Sequence, residues 1–189
     1  MDERKWIERI LAGDTQSFSC LVAKYEKMAY TIALRILENR EEAEEAVQDA
    51  FVKMYRALSD FHFDSKFSTW FYRIVYRTAL TALRQQRMFV SYEEAGPVDL
   101  SNDEVESATA LLEREDRKEM IARTLKKLPA DEALLLTLYY LEECSVEEIC
   151  QITELSASNV KVKLFRGRKR FYEVLQDKMK LETADSVSY

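Results

Sequence analysis

Apolar residues recur at helical spacing along most of the chain. After Asp14, which can cap a helix N-terminus, the apolar positions between Phe18 and Ile36 are three or four residues apart. This spacing is that of an amphipathic helix. The same pattern predicts six further helices, over 40–58, 68–87, 111–128, 131–141, 146–153 and 157–178. The chain is therefore predicted to be all-α.

The helical pattern lapses in the middle of the chain. Residues 88–116 are acidic and weakly patterned, and they include the turn-forming pair Gly96-Pro97. Three helices before this segment predict one compact bundle. We predict two small helical domains, 1–90 and 111–178, joined by an acidic linker over 91–110. A disordered tail is predicted over 179–189.

Composition supports a helical protein without a membrane segment. Only 3 glycines and 2 prolines occur, so few helix breakers are available. No apolar run approaches the roughly 18 residues of a membrane span, and the acidic N-terminus lacks a signal-peptide core. A cytoplasmic location without stable membrane insertion is predicted. The three cysteines lack metal-ligand spacing, which favours buried reduced thiols over a metal site or a disulfide.

The charge distribution points to nucleic acid despite a net charge of −6. The acidic excess lies in 91–117, which holds nine acidic and two basic residues. In contrast, 65–92 contains no acidic residue, and 161–170 contains six basic residues and no acidic one. Two local basic surfaces are typical of a nucleic-acid-binding protein. Screening over about 8 Å limits the influence of the distant acidic segment.

The stretch 145–171 predicts a helix-turn-helix. Ser145 and Glu148 have the spacing of a capping box, and the turn 154–156 separates a short helix from a longer one. Side chains near the start of the longer helix can reach base edges, and those farther along can contact phosphates. The candidate DNA-binding residues are Ser156, Ser158, Asn159, Lys161, Lys163, Arg166 and Arg168. A structural helical hairpin with a solvated basic face is the alternative for this stretch alone.

Three strings carry a resemblance to a known family. FDSKFSTWFYRIVYRTALTALRQQR and the preceding AEEAVQDAFVKMYRAL are similar to region 2 of the extracytoplasmic-function (ECF) sigma factors, a subfamily of the sigma-70-type factors of bacterial RNA polymerase. LPADEALLLTLYYLEECSVEEICQITELSASNVKVKLFRGRKRF resembles region 4 of the same family. With the acidic linker, the resemblance covers nearly the whole chain in the correct order. It implies region 2 in 1–90 and region 4 in about 110–178.

The resemblance implies an alternative sigma factor that binds core RNA polymerase and recognises the minus-thirty-five and minus-ten promoter elements. Region 4 would recognise the minus-thirty-five element while resting on the β flap of polymerase. A cognate anti-sigma factor is also expected. The residues expected to bind the β′ clamp helices are Glu45, Gln48 and Asp49. The residues expected to bind minus-ten DNA are Phe63, Lys66, Trp70, Arg73, Arg77 and Arg84. Trp70 and Phe67 could equally pack in the core. No catalytic residue, cofactor or metal is implied.

Several positions depart from the family pattern. Arg77 stands where the family usually has Asn, and Thr81 where it often has Asp. In the helix-turn-helix, Cys150 replaces the common Ala and Asn159 the common Thr. The family's promoter preference is therefore not carried over to this chain.

Three other functions compete with this interpretation. A helix-turn-helix regulator that acts without joining polymerase explains the second half, but it leaves the acidic helix 41–55 and the aromatic, basic helix 68–87 unexplained. An enzyme is disfavoured, because the chain has 1 His, no glycine-rich phosphate loop and no Ser/His/Asp set. A purely protein-binding scaffold would tolerate changes at Lys163 and Arg166.

Overall fold

The computed structural model describes residues 3–90 and 112–185, and the side chains of 3–86 and 119–176. The acidic linker predicted over 91–110 lies outside the described residues. The described elements are helices α1 (Glu3–Leu11), α2 (Thr15–Leu37), α3 (Arg40–Arg56), α4 (Phe67–Val90), α5 (Leu112–Lys126), α6 (Ala130–Tyr140), α7 (Val146–Thr153) and α8 (Ala157–Asp185), with a 3-10 turn at Leu58–Asp60. The predicted all-α class is confirmed. No described helix is long and apolar enough to cross a membrane.

The chain divides into two compact units. Unit 1 comprises Met1–Val98 and Cys144–Ser156, and unit 2 comprises Asp99–Glu143 and Ala157–Tyr189. Unit 1 thus contains α1 to α4 together with α7, whereas unit 2 contains α5, α6 and α8. The sequence-based division groups α7 with the helices of the second half, and that division stays a prediction.

Short polar side chains fix where the helices begin. The Asp14 carboxylate accepts hydrogen bonds from the Gln16 amide at 3.0 Å and from the Ser17 hydroxyl at 2.8 Å. The Ser17 hydrogen bond is the main cause that lowers the pKa of Asp14. Asn39 accepts from the Glu42 amide at the start of α3. These caps satisfy amide groups that the first helical turn leaves unpaired.

The core of unit 1 is aromatic. Helices α2, α3 and α4 pack against one another, and the Phe71 ring lies 6.0 Å from Tyr25 and 4.8 Å from Phe51 between ring centroids. Helix α1 contributes the buried side chains Ile7 and Ile10. Helix α1 is not among the predicted helices, although two apolar residues three positions apart are its signal.

Unit 2 is built around the contact between α6 and α8. Every residue from Glu132 to Leu138 is buried, and so are Val160 and Leu164 of α8. Gly167 permits close approach, because a Cβ there would lie 3.2 Å from the Leu136 side chain. Helix α8 continues beyond its predicted end at Lys178, so the predicted disordered tail is helical up to Asp185. Residues 186–189 lie outside the described part of the chain.

Candidate nucleic-acid interface

One side of α4 carries a stripe of cations. We call Lys66, which immediately precedes α4, together with Arg73, Arg77 and Arg84 of the helix, the basic stripe of α4. Their spacing of seven, four and seven residues places them on one side of the helix. All four are exposed. The structure therefore brings together the cations that the sequence analysis assigned to minus-ten DNA.

The aromatic residues near the basic stripe divide into buried and accessible ones. Phe67 is buried, and Trp70 is half-buried with its ring 5.1 Å from Phe61 and 5.6 Å from Phe67. Trp70 is thus part of the packing around Phe61. Phe63 is 41% exposed, in a left-handed backbone conformation with φ of 60°. Its ring is available to stack on a planar partner.

The accessible Phe63 ring is held from two directions. Phe61 packs against it at a centroid distance of 4.7 Å, and the Arg4 guanidinium from α1 lies 5.0 Å from its centroid. An arginine at this distance makes a cation–π contact. Arg4 is not among the residues predicted from the sequence, because α1, the helix that carries Arg4, is not among the predicted helices.

Helix α7 packs on α4 within unit 1 and pairs with most of the basic stripe. The Lys66 ammonium lies 3.0 Å from a Glu148 carboxylate oxygen, and the Thr69 hydroxyl donates to the same oxygen at 3.3 Å. Arg77 donates to Glu154 through Nε at 2.8 Å, and Arg73 lies 3.6 Å from the same oxygen. These pairs join residues at least 77 positions apart in the chain.

The Glu148 carboxylate of α7 and the Glu154 carboxylate just after its end are stabilised in their charged form. The Arg77 hydrogen bond, with the charges of Arg77 and Arg73, lowers the pKa of Glu154. Burial by itself raises the pKa of Glu148, but the Ser145 amide and Lys66 outweigh this effect and lower it. Glu148 and Glu154 therefore stay anionic to a lower pH than an ordinary glutamate does.

Glu45, Gln48 and Asp49 of α3 are exposed, but they do not line one depression. Glu45 and Asp49 line a groove against α4, together with Thr78 and Thr81. Gln48 instead lines a shallower depression against α2, beside Tyr30. The face of α3 that is predicted to bind polymerase is thus wide. Glu45 and Asp49 lie on its α4 side, and Gln48 lies on its α2 side. Carboxylates on this face can meet cations of a partner.

At the turn before α8 and in its first turns, most of the predicted DNA-binding side chains are exposed. Ser158, Asn159 and Lys161 are accessible, as is Ser156, which belongs to unit 1. Lys163 differs, because it is half-buried and forms an ion pair with Asp131 of α6. Arg166 and Arg168 are exposed farther along the helix, and Arg168 Nε donates to the Leu164 carbonyl at 3.1 Å.

Arg170 has a structural role that the sequence did not distinguish from phosphate binding. Its guanidinium lies 2.9 Å from the Glu132 carboxylate, whose side chain is only 7% exposed. The other oxygen of Glu132 is buried and has no hydrogen-bond partner within the described residues. Because a buried carboxylate without a partner is costly, Arg170 stabilises unit 2.

The predicted short and long helices of the helix-turn-helix are both present. Helix α7 has the predicted bounds, and its capping box is complete: the Ser145 hydroxyl accepts from the Glu148 amide, and the Glu148 carboxylate accepts from the Ser145 amide. Glu154 ends α7 in a left-handed conformation with φ of 62°. The two helices belong to different units.

Comparisons with known proteins match both halves of the chain. Residues 21–88 match the family model for sigma-70 region 2. Residues 118–171 match the family model for sigma-70 region 4.

Two relatives and one solved structure extend these matches over most of the chain. The RNA polymerase sigma-H factor of Pseudomonas aeruginosa is 32% identical over 181 residues, covering 92% of this chain and 94% of the relative. The ECF RNA polymerase sigma-E factor of Escherichia coli K12 is 31% identical over 170 residues, covering 86% and 88%. The sigma factor RpoE of Bartonella quintana, solved with the anti-sigma factor NepR, has a similar fold, with a TM-score of 0.66, 18% identity and coverage of 85% and 98%.

Proposed function

The chain belongs to the ECF sigma factors of the sigma-70 family, and from this we propose how its surfaces serve transcription initiation. In the proposal, the protein binds bacterial core RNA polymerase in the cytoplasm and directs it to promoters with minus-thirty-five and minus-ten elements. It supplies no turnover chemistry, because polymerase forms the phosphodiester bonds. The observation that carries the proposal is the basic stripe of α4 beside the accessible ring of Phe63.

The first half of the chain, as region 2, has two tasks in this proposal. The exposed α3 residues Glu45, Gln48 and Asp49 bind the β′ clamp helices. The basic stripe of α4 holds the backbone of the melted minus-ten strand, while Phe63 stacks on an unpaired base. Stacking of this kind contributes about 1–3 kcal/mol per base, comparable to the few kcal/mol that removing a base from the duplex costs.

The second half, as region 4, recognises the minus-thirty-five element from the start of α8 and rests on the β flap. Ser158, Asn159 and Lys161 are exposed there and carry donors and acceptors suited to base edges. Arg166 and Arg168 bind phosphates and fix the register. We assign Lys163 a smaller share, since its ammonium is already paired with Asp131. A cognate anti-sigma factor completes the proposed set of partners.

A reconstituted run-off assay tests the proposal. Core polymerase, this protein and a randomised promoter library are combined, and the transcripts are sequenced. We expect start sites that share two spaced elements. Asp49→Ala is expected to reduce the yield by weakening core binding. Absence of protein-dependent transcripts together with absence of core binding would overturn the proposal and favour a regulator that acts without polymerase.

A further inference from the structure

We propose that Arg4 of α1 is a positioning residue for Phe63, and that it holds the Phe63 ring ready for one unpaired base of the minus-ten element. This inference rests on the proposed function, because it takes Phe63 as the residue on which that base stacks. It adds α1 to the elements that build the minus-ten surface. Both residues belong to unit 1.

Phe63 has a backbone conformation that a phenylalanine rarely adopts. Its φ of 60° lies in the left-handed region, where the Cβ of a bulky residue is crowded. A residue persists in this region when the surrounding structure holds it there. Its chain neighbours His62 and Asp64 are both exposed, so the loop itself gives the ring little support. The described ring contacts come instead from Phe61 and Arg4.

Arg4 reaches the ring as an oriented cation. Its Cζ lies over the Phe63 ring, 5.0 Å from the centroid, and its Nε donates a hydrogen bond to Glu8 Oε1 at 3.0 Å, one turn along α1. The Glu8 carboxylate thereby orients the planar guanidinium, which is attracted to the electron-rich face of an aromatic ring. Since Arg4 covers one face of Phe63, we assign the base to the opposite face.

Helix α1 is anchored on the bundle and can therefore hold Arg4 in place. The Glu3 carboxylate accepts hydrogen bonds from the Lys24 ammonium and the Tyr25 hydroxyl of α2. On the side of α1 that faces the bundle, Ile7 is fully buried. Helix α1 also lies against the 3-10 turn that leads into the loop. The loop that carries Phe63 is thus supported by an element outside α4.

A ring that is held before DNA arrives loses less side-chain freedom when a base stacks on it, and this favours binding. Phe63 remains 41% exposed beside Arg4, so the ring is both supported and accessible. A direct contact between Arg4 and a DNA phosphate is the rival explanation for any effect of Arg4 on promoter binding. The two explanations differ in one respect: a positioning residue acts through Phe63, whereas a phosphate contact does not.

Substitutions in the full-length protein separate the two roles. Arg4→Gln removes the cation, and Arg4→Lys keeps a cation that can lie over the ring. Lys5→Gln is the matched control, since Lys5 is an exposed cation on the same helix. Each protein is assembled with core polymerase on a promoter selected in the run-off assay. The minus-ten segment of this promoter is pre-opened and carries the fluorescent base 2-aminopurine at one position after another.

The readout is the quenching of 2-aminopurine fluorescence that accompanies stacking. The position whose quenching is lost in Phe63→Ala identifies the base that Phe63 receives. There, Arg4→Gln is expected to lower the ratio of stacked to unstacked base about two- to fivefold, the range of an exposed cation–π contact. Arg4→Lys is expected to recover most of the quenching, and Lys5→Gln to leave it unchanged. In the Phe63→Ala background, Arg4→Gln is expected to cause no further loss of run-off transcription.

Three outcomes would overturn the positioning role and leave the proposed function standing. A loss of transcription by Arg4→Gln that is equal in both backgrounds would assign Arg4 to a phosphate. Quenching in Arg4→Gln equal to that in Lys5→Gln would show that Phe63 needs no support from Arg4. Stronger quenching in Arg4→Gln would show that Arg4 and the base compete for one face of the ring.

A separate pair of outcomes concerns the proposed function. If no position loses its quenching in Phe63→Ala, the base-stacking role of Phe63 fails, and this inference fails with it. If wild-type protein neither binds core nor supports transcription, the proposed function fails as a whole.

Discussion

Helices α4 and α8 look alike in sequence, since each has a buried apolar side and a run of cations without intervening acids. In the structure, the cations of the two helices differ in the burial of their ion-pair partners. Lys66, Arg73 and Arg77 of the basic stripe pair with the exposed or partly exposed carboxylates of Glu148 and Glu154. In α8, Arg170 pairs with Glu132, which is buried under the helix itself.

A run of basic residues in a sequence can therefore contain two kinds of cation. A cation whose partner is exposed can exchange that partner for a phosphate at small cost, because water and salt solvate the released carboxylate. A cation whose partner is buried cannot, because the carboxylate would remain unsolvated. By this criterion the basic stripe of α4 can bind DNA once its cations have exchanged their carboxylate partners for phosphates. Arg170 is not, whereas Arg166 beside it is exposed.

The largest expected effect concerns the stability of unit 2. Arg170→Gln is expected to lower the free energy of unfolding by about 2 kcal/mol. This is less than the roughly 3–5 kcal/mol for breaking a fully buried pair, because the guanidinium is half-exposed. Urea unfolding followed by far-UV circular dichroism measures the change.

Arg166→Gln is the matched control for this experiment. It is expected to change stability by less than about 0.5 kcal/mol, as for an ordinary surface substitution, while weakening binding to duplex promoter DNA. Adding Glu132→Gln to Arg170→Gln is expected to recover part of the loss. Equal unfolding energies for the two arginine variants would contradict the distinction between them.

The sequence predicts a helix well where the signals for that helix lie within a few residues of one another. Signals within a few residues were sufficient for α7, whose bounds follow from the Ser145 cap, and for the start of α3 after Asn39. Helix α1 was missed because its apolar pattern is short and rests on Ile7 and Ile10. Such a pattern gains its stability mainly from packing on α2.

The partners of the cations could not be read from the chain. Arg170 and Glu132 are 38 positions apart, and Lys66 and Glu148 are 82 apart. A solvated cation, a structural ion pair and a phosphate-binding residue have the same sequence signal. The candidate residues of α4 and α8 were therefore predicted as types, and their separate roles required the fold.

The next prediction compares two aromatic residues beside the basic stripe. Phe63→Ala is expected to lower the unfolding free energy only modestly, because the ring is 41% exposed and its contacts are those with Phe61 and Arg4. It is expected to reduce transcription from a promoter selected in the run-off assay by about tenfold, corresponding to about 1–2 kcal/mol for one stacked base. Trp70→Ala is expected to lower the unfolding free energy as well, because its ring packs on Phe61 and Phe67.

A promoter with a pre-opened minus-ten segment separates melting from holding. If Phe63 holds the unpaired base, Phe63→Ala remains defective on this template. Full recovery would instead restrict Phe63 to a melting step that the template bypasses. An unfolding loss for Phe63→Ala as large as that for Trp70→Ala would show that the exposed ring is a packing residue.

The smallest expected effect distinguishes two members of the basic stripe. Arg84→Gln removes a cation with no described carboxylate partner, and it is expected to weaken binding of free protein to single-stranded DNA about two- to threefold. Arg77→Gln removes a cation that must leave Glu154 before it can bind a phosphate, so less DNA-binding free energy is lost with it. Its net loss is expected to be smaller. In the Glu154→Gln background this compensation is absent, and Arg77→Gln is expected to cost as much as Arg84→Gln. This double-mutant comparison isolates the coupling between Arg77 and Glu154, and an Arg77→Gln loss that is identical in both backgrounds would mean that α7 and DNA do not share the residue.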